Sequence, residues 1–428
     1  MTLAAWPTYD SYRDDVAPWL GEVPADWPFE KAKWFLTHRK QLNSEGKIDN
    51  VLSLTLRGVV NNDPENPEGL VPKDYRTYQI FEADNLVFKL IDLENVRTSR
   101  VGLVHEQGIM SSAYIRLVVP QGWNARFLHY YYFHLYEAEV FNKIGSGVRS
   151  TLGQSDLLEL PIPIIDLGTQ DKIVHLLDEK CAKVDEAVRI KEEQIALLRE
   201  RRQILIQQAV TRGLNPATPM KDSGIDWIGQ IPAHWEVVPL KRLFRERNDR
   251  STTGAETLLS LRMNEGLVPH DDVSDKAIGA DALKDYKQVF PGQMVMNRMR
   301  ASIGIFGMVT SCGIVSPDYA IFDIAARANG DFFLQLFKTG VMGQQFRNAS
   351  RGLGTGSSGF MRLYTDDFGA ISVALPPPAE QTDIVAHINR LSEKIEDAVR
   401  LKEEQIAALK EYKTSLINAA VTGKIKVA

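Results

Sequence analysis

Cysteine is almost absent from this chain: Cys181 and Cys312 are the only two in 428 residues. With no CxxC pair and no clustered histidines, a disulfide framework and a structural zinc are excluded, and both thiols are expected as buried apolar side chains. Long apolar runs are missing as well. No stretch approaches the ~18 residues that would span a bilayer, and Met1 to Asp10 lacks a basic flank followed by an apolar core, so neither a membrane span nor a secretion signal is expected. The cytoplasm is the expected location. An excess of basic charge is also lacking, since 50 Lys and Arg face 55 Asp and Glu for a net charge of -5. Residues 1–160 hold 16 basic and 21 acidic side chains, and residues 216–375 hold 17 of each. Affinity for nucleic acid depends heavily on Lys and Arg neutralising phosphates, so any grip on DNA must come from local patches or from partner subunits.

Catalytic signatures are missing too. There is no phosphate-binding GxxxxGK[ST], because the stretch Gly352-Leu-Gly-Thr-Gly-Ser-Ser-Gly359 lacks the following Lys. A strand followed by GxGxxG, an HExxH helix and a GxSxG elbow are likewise not found. Pro376-Pro-Pro378 is not the Asn/Asp-Pro-Pro-aromatic loop of amino-methyltransferases, since it has no preceding Asn or Asp. The chain reads as a binder and not as an enzyme, and it is expected to bind no cofactor and no metal of its own.

What is present is a soluble globular composition, 44% apolar and 25% charged, in a chain long enough for two to four units. It is built as a tandem duplication. Lys191-Glu-Glu-Gln-Ile-Ala196 recurs as Lys402-Glu-Glu-Gln-Ile-Ala407, an offset of 211 residues, and holding that offset from Gln170/Gln381 to Arg212/Gly423 gives 20 identities in 43 ungapped positions. The intervening segments match more faintly. Trp19-Leu-Gly-Glu-Val-Pro-Ala-Asp-Trp27 mirrors Trp227-Ile-Gly-Gln-Ile-Pro-Ala-His-Trp235, Lys73-Asp-Tyr75 mirrors Lys284-Asp-Tyr286, and Gly108 to Tyr114 answers Gly313 to Tyr319. The order is domain, helix, domain, helix, with boundaries at 1–160, 161–215, 216–375 and 376–428.

Each conserved repeat predicts one long helix with a seam. Leu177, Cys181, Val184, Val188, Lys191, Ile195, Leu198, Arg202, Leu205 and Ala209 step alternately by four and three, the heptad spacing of a coiled coil. The second copy keeps the register through Ile388, Ser392, Ile395, Val399, Lys402, Ile406, Leu409, Lys413, Leu416 and Ala420. Lys191/Lys402 and Arg202/Lys413 interrupt both seams at equivalent places, either as devices that fix register or as solvated positions at the seam's edge. Leu160-Pro-Ile-Pro163 and Leu375-Pro-Pro-Pro378 mark the entries, because Pro starts a helix but does not sit inside one. Thr211-Arg-Gly213 and Thr422-Gly423 mark the ends.

The globular segments read as α+β. Val51 to Leu56, Tyr114 to Val119, Leu258 to Leu261, Gln293 to Met296 and Ala370 to Leu375 are short strand-like runs between turn residues, while Phe127 to Phe141 and Phe332 to Phe346 read as helices. The fold class is therefore two α/β domains separated by two long helices that pair as an antiparallel coiled coil, a pseudo-twofold tandem duplication. Antiparallel pairing is expected because it carries the attached domains to opposite ends.

One segment carries a family resemblance. Lys221-Asp-Ser-Gly-Ile-Asp-Trp-Ile-Gly-Gln-Ile-Pro-Ala-His-Trp235 closely resembles the start of a target-recognition domain in the specificity subunits of type I restriction-modification systems. Leu375-Pro-Pro-Pro-Ala-Glu-Gln381 followed by Ile384-Val385 resembles the segment that opens that family's conserved helix. The first module departs from the pattern: Tyr12-Arg-Asp-Asp-Val-Ala-Pro18 stands in place of Lys-Asp-Ser-Gly, Pro163 to Gln170 is longer than Pro378 to Gln381, and Phe81-Glu-Ala-Asp84 replaces Phe290-Pro-Gly-Gln293. The resemblance implies double-stranded DNA as ligand and a bipartite, asymmetric site, each domain reading one half. It further implies two modification subunits that carry S-adenosylmethionine and methylate adenine, and optional restriction subunits driven by ATP with Mg. Two rival classes are a non-DNA scaffold whose coiled coil joins two binding domains, and the specificity subunit of a related modification-only defence complex.

Reading DNA requires Arg, Lys, Asn, Gln, Ser and Thr on loops that reach phosphates and base edges. In the second domain the candidates are Arg298 and Arg300 in Asn297-Arg-Met-Arg300, Arg347 and Arg351 leading into the Gly/Ser loop, and Arg362. In the first they are Arg97, Arg100, and Lys143 and Arg149 in Lys143-Ile-Gly-Ser-Gly-Val-Arg149. For any one Arg, a solvated or ion-paired surface role carries about equal weight. Trp19, Trp27, Trp227 and Trp235 are expected in cores and not as base-stacking platforms.

Overall fold

The computed structural model describes residues 6–63, 74–91, 100–144, 152–275, 278–352 and 361–427. The chain divides into two compact units: residues 1–192 with 403–428 form the first, and residues 193–402 form the second.

In the first unit, β1 (Tyr12–Arg13) pairs with β2 (Val23–Pro24), and then come β3 (Phe29–Lys31), β4 (Thr37–His38), β5 (Leu52–Thr55), β6 (Gly58–Asn61) and β7 (Gln79–Phe81). The chain continues through β8 (Leu86–Phe88), β9 (Val101–Leu103), β10 (Gly108–Met110) and β11 (Ile115–Val118). Helices α1 (Ala125–Glu137), α2 (Val140–Ile144) and α3 (Gln154–Leu158) follow, then β12 (Pro161–Pro163) and the long helix α4 (Leu167–Arg212). A four-stranded antiparallel sheet in the order β4-β11-β8-β9 is the centre; β5 pairs with β6, β7 with β10 and β3 with β12.

The second unit repeats this plan strand for strand. β13 (Met220–Asp222), β14 (Gln230–Pro232), β15 (Glu236–Pro239), β16 (Phe244–Arg247), β17 (Leu259–Arg262) and β18 (Gly266–Pro269) lead to the short helix α5 (Ala280–Leu283). Then come β19 (Lys287–Val289), β20 (Met294–Asn297), β21 (Phe306–Met308), β22 (Gly313–Val315) and β23 (Tyr319–Ile324), and α6 (Gly330–Phe337), α7 (Gly340–Ala349) and α8 (Thr365–Ala370). The module closes with β24 (Ser372–Leu375) and α9 (Pro378–Val421). Every pairing of the first unit recurs with both strand numbers raised by twelve, including the sheet β16-β23-β20-β21. Four isolated bridges correspond as well, Leu42 to Gln79 with Arg250 to Lys287, and Val51 to Ile109 with Leu258 to Ile314. The globular parts keep only faint sequence matches yet share one topology.

The local causes are visible in the side chains. In β5, Leu52 and Leu54 are buried while Ser53 and Thr55 are only partly covered, the period of two that a half-buried strand requires. Asn124 and Asn329 cap α1 and α6 alike, each accepting from the second and third backbone N–H groups beyond it. Each of the two helices expected from sequence is in fact a pair. The first breaks at Glu139, which sits in the left-handed region at φ 55°; the second breaks at Lys338, where Thr339 starts a new helix by accepting from Met342 N–H. The strand expected at Ala370 to Leu375 begins only at Ser372, because Thr365–Ala370 is helical. Pro161–Pro163 likewise pairs with β3, so its backbone belongs to the globular part.

Trp27 and Trp235 are buried, and Trp19 and Trp227 pack against the same cores, so the recurring tryptophans fill cores. Cys181 is buried, with its thiol pushed up to about 11 chiefly by desolvation. Cys312 is exposed, which corrects the expectation that both thiols are buried: it lies in the short connection between β21 and β22 and not in a strand.

Each long helix contributes one half to each unit. Leu177, Val184, Val188, Ile195, Ile388, Ile395, Ile406 and Leu416 are buried, and Leu198, Leu205, Val399 and Leu409 are half-buried. The pairing is antiparallel. In the first unit Asp185 meets Lys413 at 2.7 Å and Lys191 donates to Gln405 at 2.6 Å, so partner numbers fall as α4 advances. In the second unit Arg202 pairs with Glu396 at 3.0 Å, the duplicate of the Asp185–Lys413 pair. Lys191, Arg202 and Lys413 in the seams thus hold cross-helix partners. Both helices stop at a glycine with φ near 75°, Gly213 and Gly423, and a Cβ on Gly423 would fall 2.4 Å from Pro24.

A buried glutamine fastens each helix to its module. Gln170 donates to the Ile165 carbonyl at 2.8 Å and accepts from Asn124 N–H at 2.8 Å. Gln381 accepts from Asn329 N–H at 2.7 Å and donates to the carbonyls of Arg327 and Pro376 at 2.9 and 2.8 Å. Since Asn124 and Asn329 are the helix caps, one side-chain amide ties the start of the long helix to the start of the helix packed on the sheet.

Candidate nucleic-acid interface

The second unit supplies the better-defined surface. The hairpin β20–β21 turns at Asn297, whose Oδ1 accepts from the N–H groups of Met299 and Arg300 at 3.1 and 3.2 Å. That turn opens a groove of about 410 Å³ lined by Ser260, Arg262, Asn297, Arg300, Ser316 and Tyr319, among others. Burial chiefly holds the Tyr319 hydroxyl above its ordinary pKa, with the nearby Arg300 and Arg262 charges opposing that shift.

The sequence candidates divide by what they touch. Arg300 is exposed in the groove. Arg298, two residues earlier, points the other way and is half-buried, with Nη2 2.5 Å from Glu246 and 3.2 Å from Thr365 Oγ1. Glu246 also holds the Lys287 ammonium at 3.4 Å, and burial of that ammonium lowers its pKa. Arg351 and Arg362 face each other as a backbone bridge; their side chains pair with Asp367 and Asp318 respectively, the latter at 3.2 Å. Arg347 is exposed on the last turn of α7.

In the first unit Arg100 is buried, with its guanidinium directed to the Ile91 carbonyl at 3.1 Å, and Lys143 is exposed, its ammonium 3.3 Å from the Ala138 carbonyl. Arg97 and Arg149 lie outside the described residues. A groove of about 470 Å³ does occur there, but at a different place, lined by Gln41, Asn43, Lys47, Glu82 and Gln107 among others, with mixed charge.

Arg262 was not among the sequence candidates, although a signal for it existed. Leu259 and Leu261 are buried, so Ser260 and Arg262 must face away from the core on β17. Among the described residues no three metal-ligating side chains cluster, and no helix is long and apolar enough to cross a membrane.

No family model matches the chain. In sequence it is 20% identical over 444 aligned positions, 95% of its own length and 96% of the relative's, to a Methanocaldococcus jannaschii protein named as the specificity subunit of the MjaX type I restriction enzyme. In structure it matches a chain from a study of complex assembly and conformational transition of a type I restriction-modification system. The TM-score is 0.68 at 12% identity, covering 94% of this chain and 99% of the other. It also matches the HsdS subunit of Thermoanaerobacter tengcongensis, with a TM-score of 0.52 at 15% identity over 94% and 98% of the two chains. In sequence and in fold, over nearly its whole length, this chain resembles the specificity subunits of type I restriction-modification systems.

Proposed function

We propose that the chain selects the DNA sites at which a type I restriction-modification complex acts, each module reading one half of a bipartite, asymmetric sequence. The observation that carries this reading is the duplication: two copies of one topology, each fastened by a buried glutamine to its own long helix. Two equivalent readers in one chain suit a site with two separated halves whose sequences differ, because the modules have diverged while the helices have not. Two modification subunits bearing S-adenosylmethionine would methylate adenine, and restriction subunits using ATP and Mg would join them when DNA is cut. This chain would supply recognition and no catalysis.

With a net charge of -5, the isolated chain is expected to hold DNA weakly. Co-expression with its modification subunit, followed by methylation-sensitive sequencing of host DNA, should reveal one bipartite adenine motif. Methyl transfer by the purified chain alone, or an assembled complex that leaves DNA unmethylated, contradicts the reading.

A further inference from the structure

We propose that the second unit recognises guanine through Arg300 and Arg262, converging on one rigid groove, while Arg298, Arg351 and Arg362 serve as its framework. The inference deepens the reading of the chain as a DNA-recognition subunit and rests on it.

A side chain that reads a base edge must be held still and must have donors to spare. The turn that presents Arg300 is fixed from several sides. Asn297 Oδ1 takes two of its N–H groups, and the Arg300 carbonyl accepts from Ile303 and Ile305 at 3.2 and 3.3 Å. Gly304 has φ 78°, a conformation that favours glycine, and a Cβ there would press to 3.2 Å from Lys338 Cα. Gly343 of α7 lies against the same turn, where a Cβ would sit 2.5 Å from the Ser302 carbonyl oxygen. The turn is therefore clamped to the helices behind it.

Arg262 arrives from the neighbouring hairpin β17–β18, on the strand face opposite buried Leu259 and Leu261. One Nη donates to the Val273 carbonyl at 3.1 Å, which orients the guanidinium and leaves its charge unneutralised. Among the described residues neither Arg262 nor Arg300 pairs with a carboxylate, and Asp318, the acidic side chain in the groove, is engaged by Arg362. The three remaining arginines each hold a carboxylate. Two guanidiniums with open donor forks match guanine, whose O6 and N7 accept two parallel N–H bonds in the major groove. Lysine, a point charge, does not reproduce that fork.

The test uses the full chain assembled with its modification subunits, incubated with a library of randomised DNA duplexes from which bound molecules are sequenced. Arg300→Gln and Arg262→Gln should each relax the preference for guanine at one position of a single half-site, by about 5- to 150-fold, and leave the other half-site unchanged. Arg300→Lys, which keeps the charge, should relax the same position. Unchanged preferences in both glutamine variants overturn the assignment. So does a uniform loss of affinity that lysine restores, which marks a phosphate contact. Failure of both variants to assemble would show a structural role and overturn it as well. A wild-type complex that selects no sequence overturns the underlying reading, and that result appears before any substitution is made.

Discussion

Replacing Gln381 by Ala removes a side chain that is fully buried and makes three hydrogen bonds to backbone groups: the Asn329 N–H and the Arg327 and Pro376 carbonyls. The loss leaves the Pro376 carbonyl buried, and the Asn329 N–H and Arg327 carbonyl half-buried, without that partner. At about 1 kcal/mol for each, and more where desolvation is complete, the unit should lose roughly 2 to 4 kcal/mol. A unit of this size shifts by about 2–4 °C per kcal/mol, so its melting transition should fall by roughly 5 to 15 °C. Gln170→Ala removes two such bonds and should lower stability by a smaller amount. Gln381→Glu keeps the shape and the acceptor but loses both donated bonds, and it should be no better than Ala. Denaturant titration and calorimetry of the full chain, compared across the three variants, check the ranking. A change below ~0.5 kcal/mol for Gln381→Ala would refute the claim that this amide fastens helix to module.

Thiol chemistry and chain connectivity give two further predictions. At pH 8 the Cys181 thiol stays protonated, because burial pushes it up to about 11, whereas Cys312 is exposed; one thiol should therefore react rapidly with a disulfide reagent, and Cys312→Ser should abolish that phase. Two fast thiols, or a fast phase surviving Cys312→Ser, would contradict this placement. In the first unit Lys426 N–H bonds to the Pro7 carbonyl at 2.6 Å, and Tyr12 donates to the Gly423 carbonyl at 3.3 Å. The equivalent connection in the second module is the exposed segment 214–219, so a permutant joined across the termini and opened there should fold and methylate the same motif. A permutant that stays soluble yet does not recruit its modification subunit would show that this continuity is required.

The helices were legible because their pattern is local and repeated. Heptad positions from Leu177 to Leu416 announce their burial in the sequence itself, and the helix ends at Gly213 and Gly423 follow from glycine's access to positive φ. Strands such as Leu52–Thr55 were readable for the same reason, through alternation. Sites were harder, because what decides an arginine's role is a partner far away in sequence. Arg298 meets Glu246, 52 residues off, and Arg300, two positions along, meets no carboxylate among the described residues; nothing in Asn297-Arg-Met-Arg300 distinguishes them. Arg100 reads as a loop arginine and is buried, whereas the outward face of Arg262 is set by the burial of its neighbours Leu259 and Leu261. The breaks at Glu139 and Lys338 were hidden because apolar spacing continues across both and the interruption lies in the backbone.

The central claim, that each module reads its own half of a DNA site, is tested most directly by exchange. Residues 216–375 enclose β13 through β24, so the segment carries a complete set of strand pairings and leaves the long helices intact. Replacing it with the corresponding module of another type I specificity subunit, then sequencing methylated adenines in a host that also supplies the modification subunit, should give a motif with one half altered. The other half should stay the same. A motif altered in both halves, or in neither, would contradict the account.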